Sequence, residues 1–239
     1  MVNGHGCRVL LGLVISVSLT LTAPAAGARD PVGQVARLEG DALVTRAGAE
    51  TTDLLEPEAP VYLQDRIETL AGSRIELRFE DDTVVFLGAK STLRITEFVL
   101  SAGGERDSAV LDLITGIFRA IVTRVLPDAA FEVRTQRVVA AVRGTDWMGE
   151  VSDDTFSVVV LDGAVAVQRA DEEVVLRTGD GVDVRSGEPL RKKRWGQGRI
   201  DGMRERMFHR MESRGMGMDP SRMRGPRSSR MRSERPGSP

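Results

Sequence analysis

The side chains that most often carry catalysis are scarce in this chain of 239 residues. Cys7 is its one cysteine, and His5 and His209 are its two histidines. None falls between Arg29 and Leu190. A Cys/His zinc site, a Ser-His-Asp triad, a Cys-His pair or a disulfide therefore cannot be built within that stretch. Lys90 is the stretch's one lysine and stands beside Ser91. In an extended segment adjacent side chains point to opposite faces, so a Ser-Lys dyad is not expected. The acidic pairs Asp81-Asp82 and Asp153-Asp154 offer oxygens to a hard cation such as calcium. Neither has a further Asp or Asn at ligand spacing, and solvated hairpin turns are the expected reading. Paired carboxylates also serve glycoside hydrolysis. Beyond phenylalanine, however, the stretch has just Tyr62 and Trp147 on which a sugar could stack. A carboxylate-based hydrolase ranks last among the readings, and no enzyme activity and no cofactor are expected.

A second chemistry lies in the C-terminal region. Seven of the nine methionines fall between Met203 and Met231. Thioethers bind the soft ion Cu(I), and Met207, His209, Met211, Met216 and Met218 are the candidate ligands. The surrounding arginines oppose this by repelling a cation. Ile200, Met203, Met207 and Met211 also form a narrow apolar stripe on a short helix near 199–214, which accounts for the methionines without metal.

The formal net charge of -2 conceals a division. To Leu190 there are 18 Lys+Arg against 30 Asp+Glu, and from Arg191 there are 15 against 5. An acidic body thus carries a basic tail, which beyond Gly215 has the Arg, Gly, Pro and Ser content of disorder. Such a tail favours anionic envelope polymers, lipid headgroups or an acidic protein surface. A solvated tail without function is the alternative.

At the other terminus Arg8 precedes the apolar run Val9 to Leu21, followed by small residues ending Ala26-Gly27-Ala28. This is the form of a secretory signal peptide, with the mature chain starting at Arg29. Retention as an anchor is the alternative, since Val9 to Ala28 approaches the ~20 residues that span a bilayer. Pro24 and the small residues oppose it. The expected location is the periplasm, with no transmembrane span after cleavage and no nucleic-acid partner.

Between the two termini the chain reads as strands. Arg74 to Glu80 alternates polar and apolar residues strictly, the period of a half-buried strand. Further strands are predicted over Thr83 to Leu87, Thr92 to Leu100, Ala109 to Ile114, Ile117 to Arg124, Phe131 to Thr135 and Val138 to Val142. Others follow over Trp147 to Val151, Phe156 to Leu161, Ala164 to Arg169, Glu173 to Arg177 and Gly181 to Arg185. The separators hold Gly, Asp, Ser or Pro. The organisation expected is a signal peptide over 1–28, one all-β domain over 29–190 and a tail over 191–239. Short strands at this spacing build a β-sandwich or a short β-solenoid.

Three stretches resemble the FecR domain family. Tyr62 to Ile95 is similar to its run L-x-x-G-D-x-I-x-T … G-S-x-A-x-L-x-F-x-D-G-S/T … S-x-L-x-I. Leu113 to Arg119 is similar to its L-x-x-G-x-x-R/K strand pair. Thr135 to Trp147, with Val142-Arg143-Gly144-Thr145, resembles its hallmark T-P-x-A-x-x-x-V-R-G-T-x-F. The resemblance covers about Pro31 to Ser186. Gln64 and Asp82 depart from it by replacing glycines, and Gln136 by replacing proline. It implies an all-β domain without catalytic residues that acts in sensing, regulation or protein interaction in the bacterial envelope, through an envelope protein as partner. Members that regulate sigma factors carry a cytoplasmic segment before this domain. Eight residues precede the apolar run here, so recognition is expected in place of direct anti-sigma activity. Arg143, Gly144 and Thr145 are read as structural: a bulge or close approach at Gly144, with the guanidinium on backbone carbonyls or Asp146. An anion or peptide contact by Arg143 is the functional alternative. An envelope-polymer or copper-binding protein working through the tail is the alternative function.

Overall fold

The computed structural model describes residues 29–101, 103, 106–123 and 130–208. The expected signal peptide lies outside them. Among the described residues no helix is long and apolar enough to cross a membrane.

The first strands are β1 (Gly33–Glu39), β2 (Ala42–Thr45), β3 (Thr52–Leu54), β4 (Pro60–Val61), β5 (Arg66–Thr69), β6 (Arg74–Phe79), β7 (Val84–Leu87) and β8 (Thr92–Leu100). A long β9 (Arg106–Ile121) leads to β10 (Ala130–Arg134), β11 (Val139–Val142), β12 (Asp146–Ser152) and β13 (Thr155–Asp162). Then come β14 (Ala164–Arg169), β15 (Glu172–Arg177), β16 (Asp180–Arg185), β17 (Lys193–Arg194) and one helix, α1 (Gln197–Phe208).

Pairing sorts the strands into two sheets. One runs β4-β1-β6-β7-β9-β12-β13-β16-β17, and the other β3-β2-β5-β8-β9-β10-β11-β14-β15. Strand β9 belongs to both. Its first part pairs with β8 and β10, and its last part with β7 and β12. Every pairing is antiparallel except β9–β10. That makes the fold a sandwich, since the stacked coils of a β-solenoid pair in parallel.

Strand alternation supplies the core. In β6, Ile75, Leu77 and Phe79 are buried, while Arg74, Glu76 and Arg78 face outward. Leu93, Ile95, Leu111, Phe118, Trp147 and Val158 come from facing strands and join the same apolar cluster. One expectation fails here. The segments 109–114 and 117–124 were to be separate strands, yet β9 runs through Gly116, whose φ of 91° bends it from one sheet into the other. A left-handed residue can kink a strand without ending it, and glycine adopts that conformation without steric cost.

A second correction concerns the C-terminal boundary. The folded unit continues past Leu190 to Phe208. β17 pairs with β16, and Trp195 covers Gly181, where a Cβ would collide with the indole. The predicted stripe is real: Ile200, Met203 and Met207 are buried on the body. The helix is described over Gln197–Phe208, and the rest of the predicted 199–214, with Met211, lies outside the described residues. Burying these three side chains is worth roughly 1.5–3 kcal/mol each before ordering costs. The helix's cations find body carboxylates. Arg206 donates through Nε (3.0 Å) and Nη2 (2.7 Å) to Glu150, and Arg199 donates to Asp183 at 2.5 Å. Part of the charge division between body and tail is thus complementarity within one domain.

Candidate interaction site

The hallmark residues belong to corners where the chain passes between the sheets. These corners use left-handed backbone: Gly40, Gly72, Gly116, Gly144, Gly163 and Gly179 among the glycines, with Gln64 and Lys90 at two others. A Ser or Thr hydroxyl clasps the neighbouring corner. Ser73 Oγ accepts from the Asp41 amide (2.9 Å) beside Gly40. Ser91 Oγ accepts from the Ile117 amide (2.9 Å) beside Gly116. Thr145 Oγ1 donates to the Ala164 carbonyl (2.8 Å) beside Gly163. The Gly-Ser and Gly-Thr steps of the sequence are therefore the two halves of one device, a tight corner and a buried hydroxyl that satisfies the next corner's backbone.

In Arg143-Gly144-Thr145, Gly144 turns (φ 63°), and Thr145 is buried with its backbone paired to Val122. Arg143 is exposed, and among the described residues no hydrogen bond or ion pair engages its guanidinium. The carboxylate suggested for it, Asp146, is held by Arg119 through Nε (2.8 Å) and Nη2 (2.6 Å). That hydrogen bonding raises the Arg119 pKa against the opposing effect of burial. Ser91 is buried on backbone groups while Lys90 is exposed, so the structure forms no dyad. Met207 is packed at 2% exposure. Its thioether is committed to apolar contact, while His209, Met211, Met216 and Met218 lie outside the described residues.

Corners close one end of each half of the sandwich and leave the other to hairpins. Gly116 pairs with Val151, so the corners of the N-terminal half share an end with the hairpins of the C-terminal half. The two hairpin ends are filled differently. In the N-terminal half, Asp81 is fully buried and accepts from the Thr83 amide (3.0 Å), the Thr83 hydroxyl (2.7 Å) and Arg106 Nη1. Arg106 is itself 1% exposed and sits 5.5 Å from the Phe131 ring centroid. Phe79 and Phe98 stack at 5.3 Å. This end is plugged.

At the other end the sheets part into an open cleft of about 390 Å³. Val138, Phe156 and Val184, each at most 4% exposed, form the floor with Ile114 and Val151. Arg137, Arg169 and Arg185 stand on the rim. Arg137 reaches across from the β10–β11 hairpin to the opposite sheet. Its Nη1 donates to Ser186 Oγ (2.5 Å), and its Nη2 lies 3.5 Å from Asp154 Oδ1. The Asp154 side chain is 86% exposed, so this bridge is a loose surface contact. Arg169 is held by the Arg185 carbonyl (2.7 Å) and Glu172 (2.8 Å). The Leu190 amide, and then Arg169, lower the Glu172 pKa. A volume of this size with an apolar floor and convergent polar groups has the form of a small-ligand or side-chain pocket. Among the described residues no group of three or more His, Cys, Asp or Glu gathers as for a metal ion. The three rim arginines escaped the sequence reading because they lie on separate hairpins. The repeated Asp-Asp-Thr, at 81–83 and 153–155, was the available pointer to the paired ends.

Residues 65–166 match the family described as FecR protein. Over those residues, fewer than half of the chain, the sequence is FecR-like. The match takes in the corners from Gly72 to Gly163 and the Arg143-Gly144-Thr145 step. Among solved structures, two of a candidate anti-sigma factor from Parabacteroides distasonis ATCC 8503, at 2.50 and 1.65 Å resolution, are similar in fold. Each shares 22% identity at a TM-score of 0.51, covering 59% of this chain and 64% of that one. The chain thus spans less than two thirds of the length of the solved relatives it matches. No curated protein matches. The FecR match supports a role in regulation or sensing.

Proposed function

We propose that this FecR-like protein is exported to the bacterial envelope and works there without catalysis, by recognising another envelope protein. The observation that carries the reading is the FecR match combined with where its hallmark residues go. Gly144 and Thr145 are used in a corner and Ser91 in another, while Arg143 of the same motif stays exposed on the surface. Recognition then falls to the surface, and the cleft at the Arg137 end is a concave part of it. The signal-peptide form of residues 1–28 supports export.

Capture from envelope extract tests the partner, using the full chain and a chain ending at Phe208, each at low and moderate salt. A chain ending at Leu190 is unsuitable, because it would uncover Gly181 and the surface under Met203 and Met207. Retention of one partner on both chains at both salt levels supports recognition by the FecR-like domain. Binding that disappears with residues 209–239 and weakens with salt would transfer the function to the basic tail. Fractionation tests export: the chain is expected in the periplasmic fraction and shortened by its first 28 residues. An intact chain in the cytoplasm would overturn that part.

A further inference from the structure

We infer that the open cleft binds a peptide segment that presents a carboxylate beside a large apolar side chain. This rests on the recognition reading above and names the class of partner. The argument comes from the plugged end of the same sandwich. There the protein meets a hairpin-ended opening with an arginine, Arg106, a carboxylate, Asp81, and aromatic rings, Phe79 and Phe98. At the open end the arginine is present as Arg137, and the apolar floor is present as Val138, Phe156 and Val184. The inward carboxylate and the filling ring are absent. The hairpin acid that should supply the carboxylate, Asp154, points out into solvent and holds Arg137 at 3.5 Å. A ligand carboxylate entering between Arg137 and Arg185 exchanges that weak surface contact for a charge-assisted bond in a drier site. Its neighbouring side chain covers the apolar floor.

Charge also selects the source of the carboxylate. Asp153 and Asp154 border the cleft, and Glu172 and Glu188 hold rim arginines from outside. A single carboxylate placed among guanidinium groups avoids these acids. A dense anionic surface, such as a membrane of acidic lipid, meets them all at once. The volume fits one large side chain and its flanking backbone, which is the demand of a peptide.

The test is a titration of the purified protein with acetyl-aspartyl-phenylalaninamide, followed by amide chemical shifts, against the lysyl counterpart. Saturable shifts are expected at Arg137, Val138, Thr155 and Gly187. The lysyl probe should bind about ten-fold more weakly, the scale of one charge-assisted contact. Arg137→Gln should weaken the acidic probe by a similar factor with an unchanged melting temperature. Asp154→Asn removes the internal competitor and should tighten the acidic probe by about two- to five-fold. A merely structural role for the pair predicts no such gain. Equal binding of both probes, or no shifts in the cleft, would overturn the inference. So would binding of phosphatidylglycerol vesicles through the same residues in place of the peptide. If the peptides fail while envelope capture still succeeds on the chain ending at Phe208, the recognition reading stands and the cleft is not its site.

Discussion

At one end of this sandwich Asp81-Asp82-Thr83 closes a hairpin with a carboxylate turned inward, and at the other Asp153-Asp154-Thr155 closes one with a carboxylate turned to solvent. The tripeptide is the same, but the loops are not. Between Phe79 and Thr83 lie three residues, the last of them, Asp82, left-handed at φ 64°. Between Ser152 and Thr155 lie two, the first of them, Asp153, left-handed at φ 49°. Three-residue hairpins end on a left-handed residue, whereas some two-residue hairpins begin on one. With the longer loop an aspartate faces the space between the sheets, and with the shorter one both aspartates are exposed. A buried ion pair and an open cleft accompany that difference.

The largest expected effect lies at the plugged end. Arg106→Ala would leave Asp81 buried with its two Thr83 contacts and no counter-charge, a loss of about 3–5 kcal/mol. Urea unfolding measures it. Replacing both partners, as in Arg106→Met with Asp81→Asn, should cost less than the single change, because no charge is then stranded. If Arg106→Ala costs under about 1 kcal/mol, the two ends are energetically alike and the contrast drawn between them collapses.

Corner substitutions come next. At Gly116 a methyl group would meet both the side chain and the backbone Cα of Ser91, at a φ of 91°. Gly116→Ala should cost about 3 kcal/mol or more, since backbone strain and a clash add. At Gly144 the φ of 63° lies where alanine suffers roughly 1–2 kcal/mol of strain. Thermal melts of the two variants rank them. A reversed order would mean that the clasp at Thr145 constrains its corner more tightly than the one at Ser91.

Acid offers a smaller perturbation confined to the half that carries the cleft. Burial alone would raise the Asp183 pKa, but hydrogen bonds from Arg199 and Ser157 outweigh it and leave the carboxyl below its ordinary value. Stability from this contact is complete above the unfolded pKa of about 3.9 and is lost as pH falls through the lowered folded value. Arg199 is partly exposed, so the effect should stay under about 1 kcal/mol. Fluorescence of Trp195 in a Trp147→Phe background reports it, because Arg199 lies 3.5 Å from that indole's centroid. A change centred above pH 5 would assign it to some other group.

Much of this architecture was legible in the sequence. The alternation of Arg74 to Glu80 located β6 to within one residue, and the glycines replaced at Gln64 and Asp82 mark positions that are left-handed here (φ 67° and 64°). Gly144 is left-handed at φ 63° and Thr145 is buried, whereas Asp146 is held by Arg119 and Arg143 is exposed. Three features were hidden, each for a physical reason. Gly116 reads as a strand break, because sequence shows a kink without showing that the ladder resumes on another sheet. Residues 191–208 read as tail, because composition registers Arg194, Arg199 and Arg206 but not Asp180, Asp183 and Glu150 opposite them. The cleft needs Arg137, Arg169 and Arg185 on three separate hairpins, a juxtaposition made by the pairing of β11 with β14 and of β13 with β16.

The smallest expected effect completes the contrast. Arg137→Gln and Asp154→Asn act on an ion pair at 3.5 Å whose acid is mostly in water, so each should change stability by less than about 0.5 kcal/mol. The double variant should match the sum of the singles within error, because a contact this loose carries little coupling. The same substitutions alter the charge facing the cleft, so any effect of theirs on partner binding would come without an effect on folding. Urea curves for the four proteins settle the point. If Arg137→Gln cost 2 kcal/mol or more, Arg137 would be a second plug, and the rim would be structural like Arg106. Superimposable curves would mean that the protein keeps Arg137 at an apolar opening where its own fold does not require it.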